Sequence, residues 1–225
     1  MPIREQIKLD VCVVVDTSES LENYAHIIRN SLGNMVKKLR ISNKEDALTG
    51  YDVFFTLCCF SDDEEKKIWF EPLKNANDSS IENIKFAGQT NPAPAINSVV
   101  DEAIRRYENW RAKDQKCARP LFYFFTDGNP YPTEKYEASF KRAAKNVSTK
   151  EEQGKILSVV AGCGNVNDEN LKCLTHFPSH VIRLENNSES IADYFSRILP
   201  QTTNNAVTTS MDQRFAVGGK SLFKD

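Results

Sequence analysis

Two largely apolar runs, each followed directly by an aspartate, constrain the fold of this 225-residue chain more than any other feature. Residues 11–15 lead into Asp16, and residues 121–126 lead into Asp127. Uninterrupted apolar strands are typical of parallel sheets that are covered by helices on both faces. The sequence therefore predicts a buried sheet in which two strands carry a carboxylate at their carboxyl ends.

Strand-like and helix-like segments alternate along most of the chain, which favours βαβ units. The predicted strands cover residues 8–16, 51–60, 67–70, 119–126, 156–161 and 181–184. The predicted helices cover residues 21–40, 94–110, 134–146, 168–174 and 188–199. The short segment 67–70 follows a charged turn and is expected to return as an edge strand. We therefore expect an α/β fold of three layers, a Rossmann-like doubly wound sheet that is mostly parallel with one antiparallel edge strand.

Composition changes after residue 200 and sets the expected domain boundary. Pro200 is expected to stop the last helix, because proline lacks the N–H that a continuing helix needs. The following residues are rich in Thr, Asn, Ser and Gly. We therefore predict one domain over residues 1–200 and a flexible or partner-ordered tail over residues 201–225.

Charge and hydropathy argue against two classes of partner. The formal net charge is -2, and no basic stripe interrupted by aromatic residues is present, so nucleic-acid binding is not expected. No apolar run approaches the roughly 20 residues of a membrane-spanning helix. The amino-terminal residues lack the apolar core of a secretory signal, and the six cysteines fit a reducing compartment. The expected location is the cytoplasm.

Five oxygen-bearing side chains form the candidate site. Asp16, Ser18 and Ser20 follow the first strand, Thr90 lies in a loop before a predicted helix, and Asp127 follows the fourth strand. Ligand sites in open α/β sheets lie outside the carboxyl ends of the strands. Carboxylate and hydroxyl oxygens suit hard cations. The sequence therefore predicts a Mg²⁺ site, with Mn²⁺ and Ca²⁺ as alternatives.

The order D-x-S-x-S, a distant threonine and T-D-G resembles the metal-ion-dependent adhesion site (MIDAS) of von Willebrand factor A (vWA) domains. The resemblance extends over about residues 8–200 and is strongest to stand-alone bacterial vWA proteins of the tellurium-resistance type. Glu19 stands where that group usually has glycine, which makes the rim of the site more negative.

The resemblance implies the vWA fold and a non-enzymatic role as a protein-interaction module. An Asp or Glu of a partner protein would then complete the coordination of the Mg²⁺. It also implies a setting in tellurium-type stress resistance, in which a phosphatase or kinase of the same system is a candidate partner.

Two alternatives remain open from the sequence. A Mg²⁺-dependent phosphohydrolase could use Asp16 as a nucleophile, but Ser18 stands where such enzymes carry a second aspartate, and no histidine adjoins the site in sequence. A regulatory subunit of an ATP-driven complex could use the tail as a tether.

Two further features are of less weight. A zinc site would need Cys163, Cys173, His176 and His180, but the gap between the two cysteines is irregular for zinc. Tyr131 lies between two prolines beside the predicted metal rim. It is a candidate contact residue for a partner, or it packs on its own domain.

Overall fold

The computed structural model describes residues 6–45, 50–62, 65–70, 73 and 81–212. Within these residues, six strands form one sheet in the order β3-β2-β1-β4-β5-β6. The strands are β1 (Ile7–Asp16), β2 (Tyr51–Phe60), β3 (Glu65–Phe70), β4 (Leu121–Thr126), β5 (Leu157–Gly162) and β6 (Val181–Arg183). Only β3 pairs antiparallel, at the sheet edge. The predicted mostly parallel sheet with one antiparallel edge strand is confirmed.

Helices connect the strands. They are α1 (Ala25–Glu45), α2 (Pro92–Ala112), α3 (Glu134–Glu152), α4 (Asp168–Cys173), α5 (Ser188–Asp193) and α6 (Leu199–Asp212). A 3₁₀ helix (Glu19–Tyr24) precedes α1, and a second one (Pro178–His180) precedes β6. A π-helical turn (Tyr194–Ile198) joins α5 to α6.

Alternating side chains of β1 enter two separate cores, one on each face of the sheet. Val11, Val13 and Val15 pack into the core formed with α1, α5 and α6. Cys12 and Val14 pack into the core formed with α2 and α3. The alternation follows from the two-residue period of a strand. Both faces of the sheet are therefore buried, which explains the continuous apolar runs and gives the three layers.

The order of the strands places a crevice at the carboxyl end of β1. This strand lies between β2 and β4, and the chain winds outward from it in both directions. Val15 is in register with Phe125. Asp16 and Asp127, which follow these residues closely, are therefore brought to the same edge. This is the topological switch point at which α/β sheets bind ligands.

The predicted helix stop at Pro200 is wrong. Helix α6 runs through this proline to Asp212, and Thr203 and Ala206 are buried against the domain. The preceding π-helical turn widens the backbone where the proline ring would otherwise collide with the carbonyl four residues earlier. That carbonyl, of Ser196, accepts a hydrogen bond from Lys38 Nζ (2.7 Å) instead of from the missing N–H.

Residues 201–212 of the predicted tail are thus part of the folded domain, and the proposed boundary at residue 200 falls inside a helix. The rest of the predicted tail, residues 213–225, lies outside the described residues. Among the helices that the structure describes, none combines the length and apolar character needed to span a membrane.

Candidate metal centre

The carboxylate of Asp16 ends β1 and is held rigidly below the protein surface. Its Oδ1 accepts a hydrogen bond from the backbone N–H of Ser18 (2.9 Å). Its Oδ2 accepts one from Thr126 Oγ1 (2.7 Å), which in turn accepts from the N–H of Gly128 (3.0 Å). Asp16 is completely buried. Both loops that leave the central strands are therefore tied to this one carboxylate.

A chain of hydroxyl and carboxylate contacts continues from Ser18 to Asp127. The Oγ atoms of Ser18 and Ser20 lie 3.0 Å apart, and Ser20 Oγ donates to Asp127 Oδ2 (2.9 Å). The N–H of Asn129 donates to Asp127 Oδ1 (2.9 Å). Ser18 is buried, whereas Ser20 is exposed. Four of the five predicted site residues therefore form one cluster, which opens to solvent at Ser20.

The fifth residue, Thr90, is positioned by backbone contacts between the two other loops. In its loop, the N–H of Ala87 donates to Thr17 O (2.9 Å), and Gly88 O accepts from the N–H of Glu19 (3.1 Å). The carbonyl of Thr90 accepts from the N–H of Tyr131 (2.8 Å). Thr90 is 7% exposed. The loop of Thr90 is thus attached to the loop after β1 and to the loop after β4.

Gly88 allows the loop of Thr90 to approach Asp62 closely. Its φ of +82° is rarely adopted by residues with a side chain, and a Cβ there would lie 2.1 Å from Asp62 Oδ2. Asp62 Oδ1 accepts a hydrogen bond from the N–H of Gln89 (2.7 Å). A glycine two residues before Thr90 therefore permits the loop to fold against Asp62.

The electrostatics of the cluster favour an added cation. Burial, together with the nearby charge of Asp127, raises the pKa of Asp16 to about 6. Burial also raises the pKa of Asp127. Within the described residues, no lysine or arginine forms an ion pair with either carboxylate. Two carboxylates and two or three hydroxyls, with an excess of negative charge, match the oxygen donors that Mg²⁺ and similar ions prefer.

Thr126 and Asn129, which are not among the predicted ligands, also contact the candidate metal centre. Thr126 orients Asp16, and Asn129 orients Asp127, each by a hydrogen bond to the carboxylate. The available signal is the polar run 126–129 directly after a buried strand, because Asp side chains often accept the N–H two residues onward. The sequence could suggest the Asp127 contact but not the bond between two distant strands.

The residues of the considered zinc site are not brought together. Cys163 is buried, whereas Cys173 is exposed on α4. His180 is buried, and its Nδ1 lies 2.9 Å from Ser158 O. Among the residues the structure describes, no group of three or more His, Cys, Asp or Glu is placed to hold a metal ion.

The family model of the von Willebrand factor type A domain matches residues 10–197. The chain belongs to this family. The match includes every residue of the candidate metal centre. A comparison with curated protein sequences returns no match.

Solved structures of other vWA-like proteins share the fold at low sequence identity. Pilus adhesin SpaC from Lactobacillus rhamnosus GG is 14% identical (TM-score 0.66), with 92% of this chain and 31% of that chain covered. Proximal thread matrix protein 1 from the mussel byssus, with a zinc-occupied MIDAS motif, is 13% identical (TM-score 0.60), with 87% and 46% covered. Manganese-loaded TRAP protein from Plasmodium vivax is 18% identical (TM-score 0.52), with 86% and 74% covered.

The chain spans less than half the length of the first two of these proteins. At these identities, the likeness establishes the vWA fold of this chain. The metal ions named for the mussel and Plasmodium proteins belong to those proteins.

Proposed function

We propose that this vWA domain is a protein-interaction module that binds Mg²⁺ and docks an acidic residue of a partner protein. Asp16, Ser18, Ser20, Thr90 and Asp127 would hold the ion. The ion would supply an electron-poor coordination position that attracts an outside carboxylate, because hydroxyl ligands donate little charge to it. The domain itself supplies the rigid frame, since each site carboxylate is fixed by hydrogen bonds.

One observation carries the proposal: two buried carboxylates converge with an exposed serine hydroxyl, without a positive partner among the described residues. An isolated buried charge is costly, and a bound cation removes that cost. The metal-loaded mussel and Plasmodium relatives support a divalent ion at the same kind of site. The choice of Mg²⁺ over Mn²⁺, Zn²⁺ or Ca²⁺ is part of the proposal.

The surroundings of Asp16 support binding rather than catalysis. Both carboxylate oxygens accept hydrogen bonds, and the side chain is buried, so neither oxygen is presented as a nucleophile. The histidines are engaged elsewhere. The Nε2 of His26 lies 3.0 Å from Asn30 Nδ2, His176 packs on Phe177, and His180 bonds to Ser158 O.

The rim offers a surface for the partner. Glu19 and Tyr131 are exposed beside the cluster, and the N–H of Tyr131 is tied to the Thr90 loop. Tyr131 also packs edge-on against Tyr136, with ring centroids 6.2 Å apart. An exposed, supported aromatic ring is a common contact residue at protein interfaces.

We further propose that the module acts in the cytoplasm, in a tellurium-type stress response, with a phosphatase or kinase as the candidate partner. The support is the resemblance of the three site segments to stand-alone bacterial vWA proteins. The domain then serves as a docking subunit rather than as the enzyme of the system.

Metal binding is tested by isothermal titration of the chelator-treated protein with Mg²⁺, Mn²⁺, Ca²⁺ and Zn²⁺ separately. We expect a single site that is lost in the Ser18→Ala/Ser20→Ala variant. Ser139→Ala is the control, because this hydroxyl bonds within α3, to Tyr136 O. Equal binding by the double variant and the wild type would refute the assigned ligand set.

Partner docking is tested by affinity capture from native lysate with Mg²⁺, with chelator, and with the Ser18→Ala/Ser20→Ala variant. We expect a partner protein that is retained only by the wild type in the presence of Mg²⁺. Retention under all three conditions would place the partner surface away from the metal centre.

A further inference from the structure

A groove lies beside the metal centre, between α3, α4 and the loop that follows β4. We call it the α3–α4 groove, and its walls include Asn129, Glu137, Phe140, Lys141, Glu169 and Asn170. Its volume is about 460 Å³. Clefts that receive small ligands have volumes of roughly 300–1,000 Å³. The α3–α4 groove can therefore accept one long side chain together with some water.

The α3–α4 groove is continuous with the candidate metal centre through two asparagines. The N–H of Asn129 donates to the Asp127 carboxylate, and the N–H of Asn167 donates to Asp127 O (2.9 Å). Both asparagines also line the groove. A partner segment that reaches Asp127 can therefore extend along the wall of the groove.

The polar groups of the groove are mainly hydrogen-bond acceptors. The Nδ2 group of Asn129 donates to the carbonyls of Asp127 and Asn165, and that of Asn170 donates to Gly128 O (2.8 Å). These bonds fix the orientation of each amide. The two amide oxygens accept no hydrogen bond from another residue in the described part of the chain. They remain available to a donor from outside.

The charged groups of the groove carry an excess of negative charge. Glu137 on α3 and Glu169 on α4 are exposed, and Lys141 is the one cation among the lining residues. None of the three forms an ion pair with another residue that the structure describes. Two carboxylates against one ammonium group leave the groove suited to a cationic ligand.

We propose that the α3–α4 groove binds an arginine side chain of the same partner whose acidic residue docks at the metal centre. A guanidinium presents five N–H donors in a plane, which suits carboxylate and amide oxygens arranged around a cleft. Its aliphatic stem can lie on the apolar atoms of Pro130, Pro132 and Phe140 that line the groove. The partner segment would then carry an acidic and a basic residue, read by two adjacent sites.

The identity of the partner segment rests on the proposed function, but binding in the groove can be measured without it. N-acetyl-arginine methylamide is titrated into the chelator-treated domain, and the side-chain amide signals of Asn129 and Asn170 are followed by NMR. We expect saturable shifts and binding about two- to fivefold weaker for the neutral citrulline analogue, because a partly exposed ion pair contributes only modestly to affinity.

Variants of the two glutamates test whether arginine binds in the α3–α4 groove. Glu137→Gln/Glu169→Gln should remove the preference for arginine over citrulline, while Glu152→Gln, an exposed change on the same helix, should retain it. The spectrum of each variant reports whether the domain is folded. Equal binding of arginine and citrulline by the wild type, or an unchanged preference in the double variant, would overturn the proposal.

A linked probe separates the two sites. Peptides that join one glutamate to one arginine through spacers of about one to four glycines are measured with Mg²⁺ and with chelator. If citrulline in place of arginine weakens binding but Mg²⁺ has no effect, the groove assignment stands and metal docking fails. If Mg²⁺ strengthens binding but citrulline costs nothing at every spacer length, metal docking stands and the groove assignment fails.

Discussion

Buried carboxylates occur at two places in this domain, and their environments are opposite. At the candidate metal centre, Asp16 and Asp127 lie near each other, and burial raises the pKa of both. On the far part of α3, Glu151 is buried between β5 and the segment before β6. Burial favours a raised pKa there too, but hydrogen bonds from His180, Ser158 and Thr175 outweigh it, and the pKa of Glu151 is lowered.

The number of donors explains the difference. Glu151 accepts hydrogen bonds from the N–H and Oγ of Ser158, from Thr175 Oγ1 and from the N–H of His176, each at 2.7 Å. His180 Nδ1 lies 3.5 Å from its Oε1. Asp16 has two donors and a second carboxylate nearby. The charge of Glu151 is satisfied within the chain, whereas the charge of Asp16 calls for a ligand.

The two carboxylates are expected to differ in their effect on stability. A carboxylate whose folded pKa is lowered stabilises the fold when ionised, whereas one whose folded pKa is raised destabilises the fold when ionised. Proteins retain the second arrangement where function uses it. The two sites should therefore respond in opposite directions when their charge is removed.

The largest effect is expected at Glu151. Glu151→Ala leaves the buried donors of Ser158, Thr175 and His176 without an acceptor, and we expect the free energy of unfolding to fall by about 3–5 kcal/mol. Urea unfolding measures the change. Glu152→Ala, at the adjacent exposed position, should stay within about 0.5 kcal/mol. Equal destabilisation by both variants would show that the hydrogen bonds of Glu151 do not stabilise the fold.

The next largest effect is the stabilisation of the fold by Mg²⁺, which should depend on the candidate metal centre and not on Glu151. Mg²⁺ at about 100 times its dissociation constant should stabilise the folded wild type by about 2.7 kcal/mol, because the ion binds the folded state. The conservative variant Glu151→Gln should keep this increment on a lower baseline, and Ser18→Ala/Ser20→Ala should lose it. An increment that survives the serine changes would show that the ion binds elsewhere.

Removing the charge of Asp16 should raise the free energy of unfolding, whereas removing the charge of Glu151 should lower it. An asparagine can accept from the N–H of Ser18 with its oxygen and donate to Thr126 Oγ1 with its nitrogen. We expect Asp16→Asn to stabilise the metal-free domain by on the order of 1–3 kcal/mol, since the pKa of Asp16 is raised to about 6. Thermal and urea unfolding with chelator test this, and destabilisation would contradict the comparison.

The placement of Asp16 and Asp127 in the candidate metal centre can be predicted from the sequence, because both residues follow buried strands. The apolar runs before Asp16 and Asp127 indicate their place at the sheet edge, and strand pairing brings them together. Glu151 lies beyond the predicted helix 134–146, whereas the observed helix extends to Glu152, so the sequence prediction does not place Glu151 on a buried helix face. The available signal was its spacing: Val147 and Glu151 lie one helical turn apart, on the buried side of α3.

The path of the chain after residue 198 was not predictable from local signals. Proline lacks the N–H that a helix interior needs, so Pro200 by itself predicts a helix stop. Here the π-helical turn precedes Pro200, and Lys38 on α1 donates to the Ser196 carbonyl that lacks a helical partner. A sequence does not reveal such a tertiary contact, and the buried bond between Tyr123 and Thr203 is of the same kind.

The smallest effect is a difference in pH dependence between the two sites. In the metal-free wild type, folded Asp16 keeps its proton up to about pH 6, whereas the unfolded chain releases it near pH 3.9. Stability therefore falls as pH rises between these values, by up to about 1.4 kcal/mol per pH unit. The advantage of Asp16→Asn over the wild type should be near zero at about pH 4 and reach its plateau above about pH 6.

Glu151 should behave in the reverse way over this window. Its folded pKa lies below the unfolded value of about 4.3, so its stabilisation is complete above that value and is lost as pH falls through the lowered folded pKa. The deficit of Glu151→Gln should thus stay constant between about pH 5 and 6, where the advantage of Asp16→Asn still grows. Urea unfolding of the wild type, Asp16→Asn and Glu151→Gln across this range, with chelator present, measures the advantage of the first variant and the deficit of the second. Parallel curves for wild type and Asp16→Asn would mean that Asp16 is ionised in the folded domain as readily as in the unfolded chain, and that its charge is balanced without a metal.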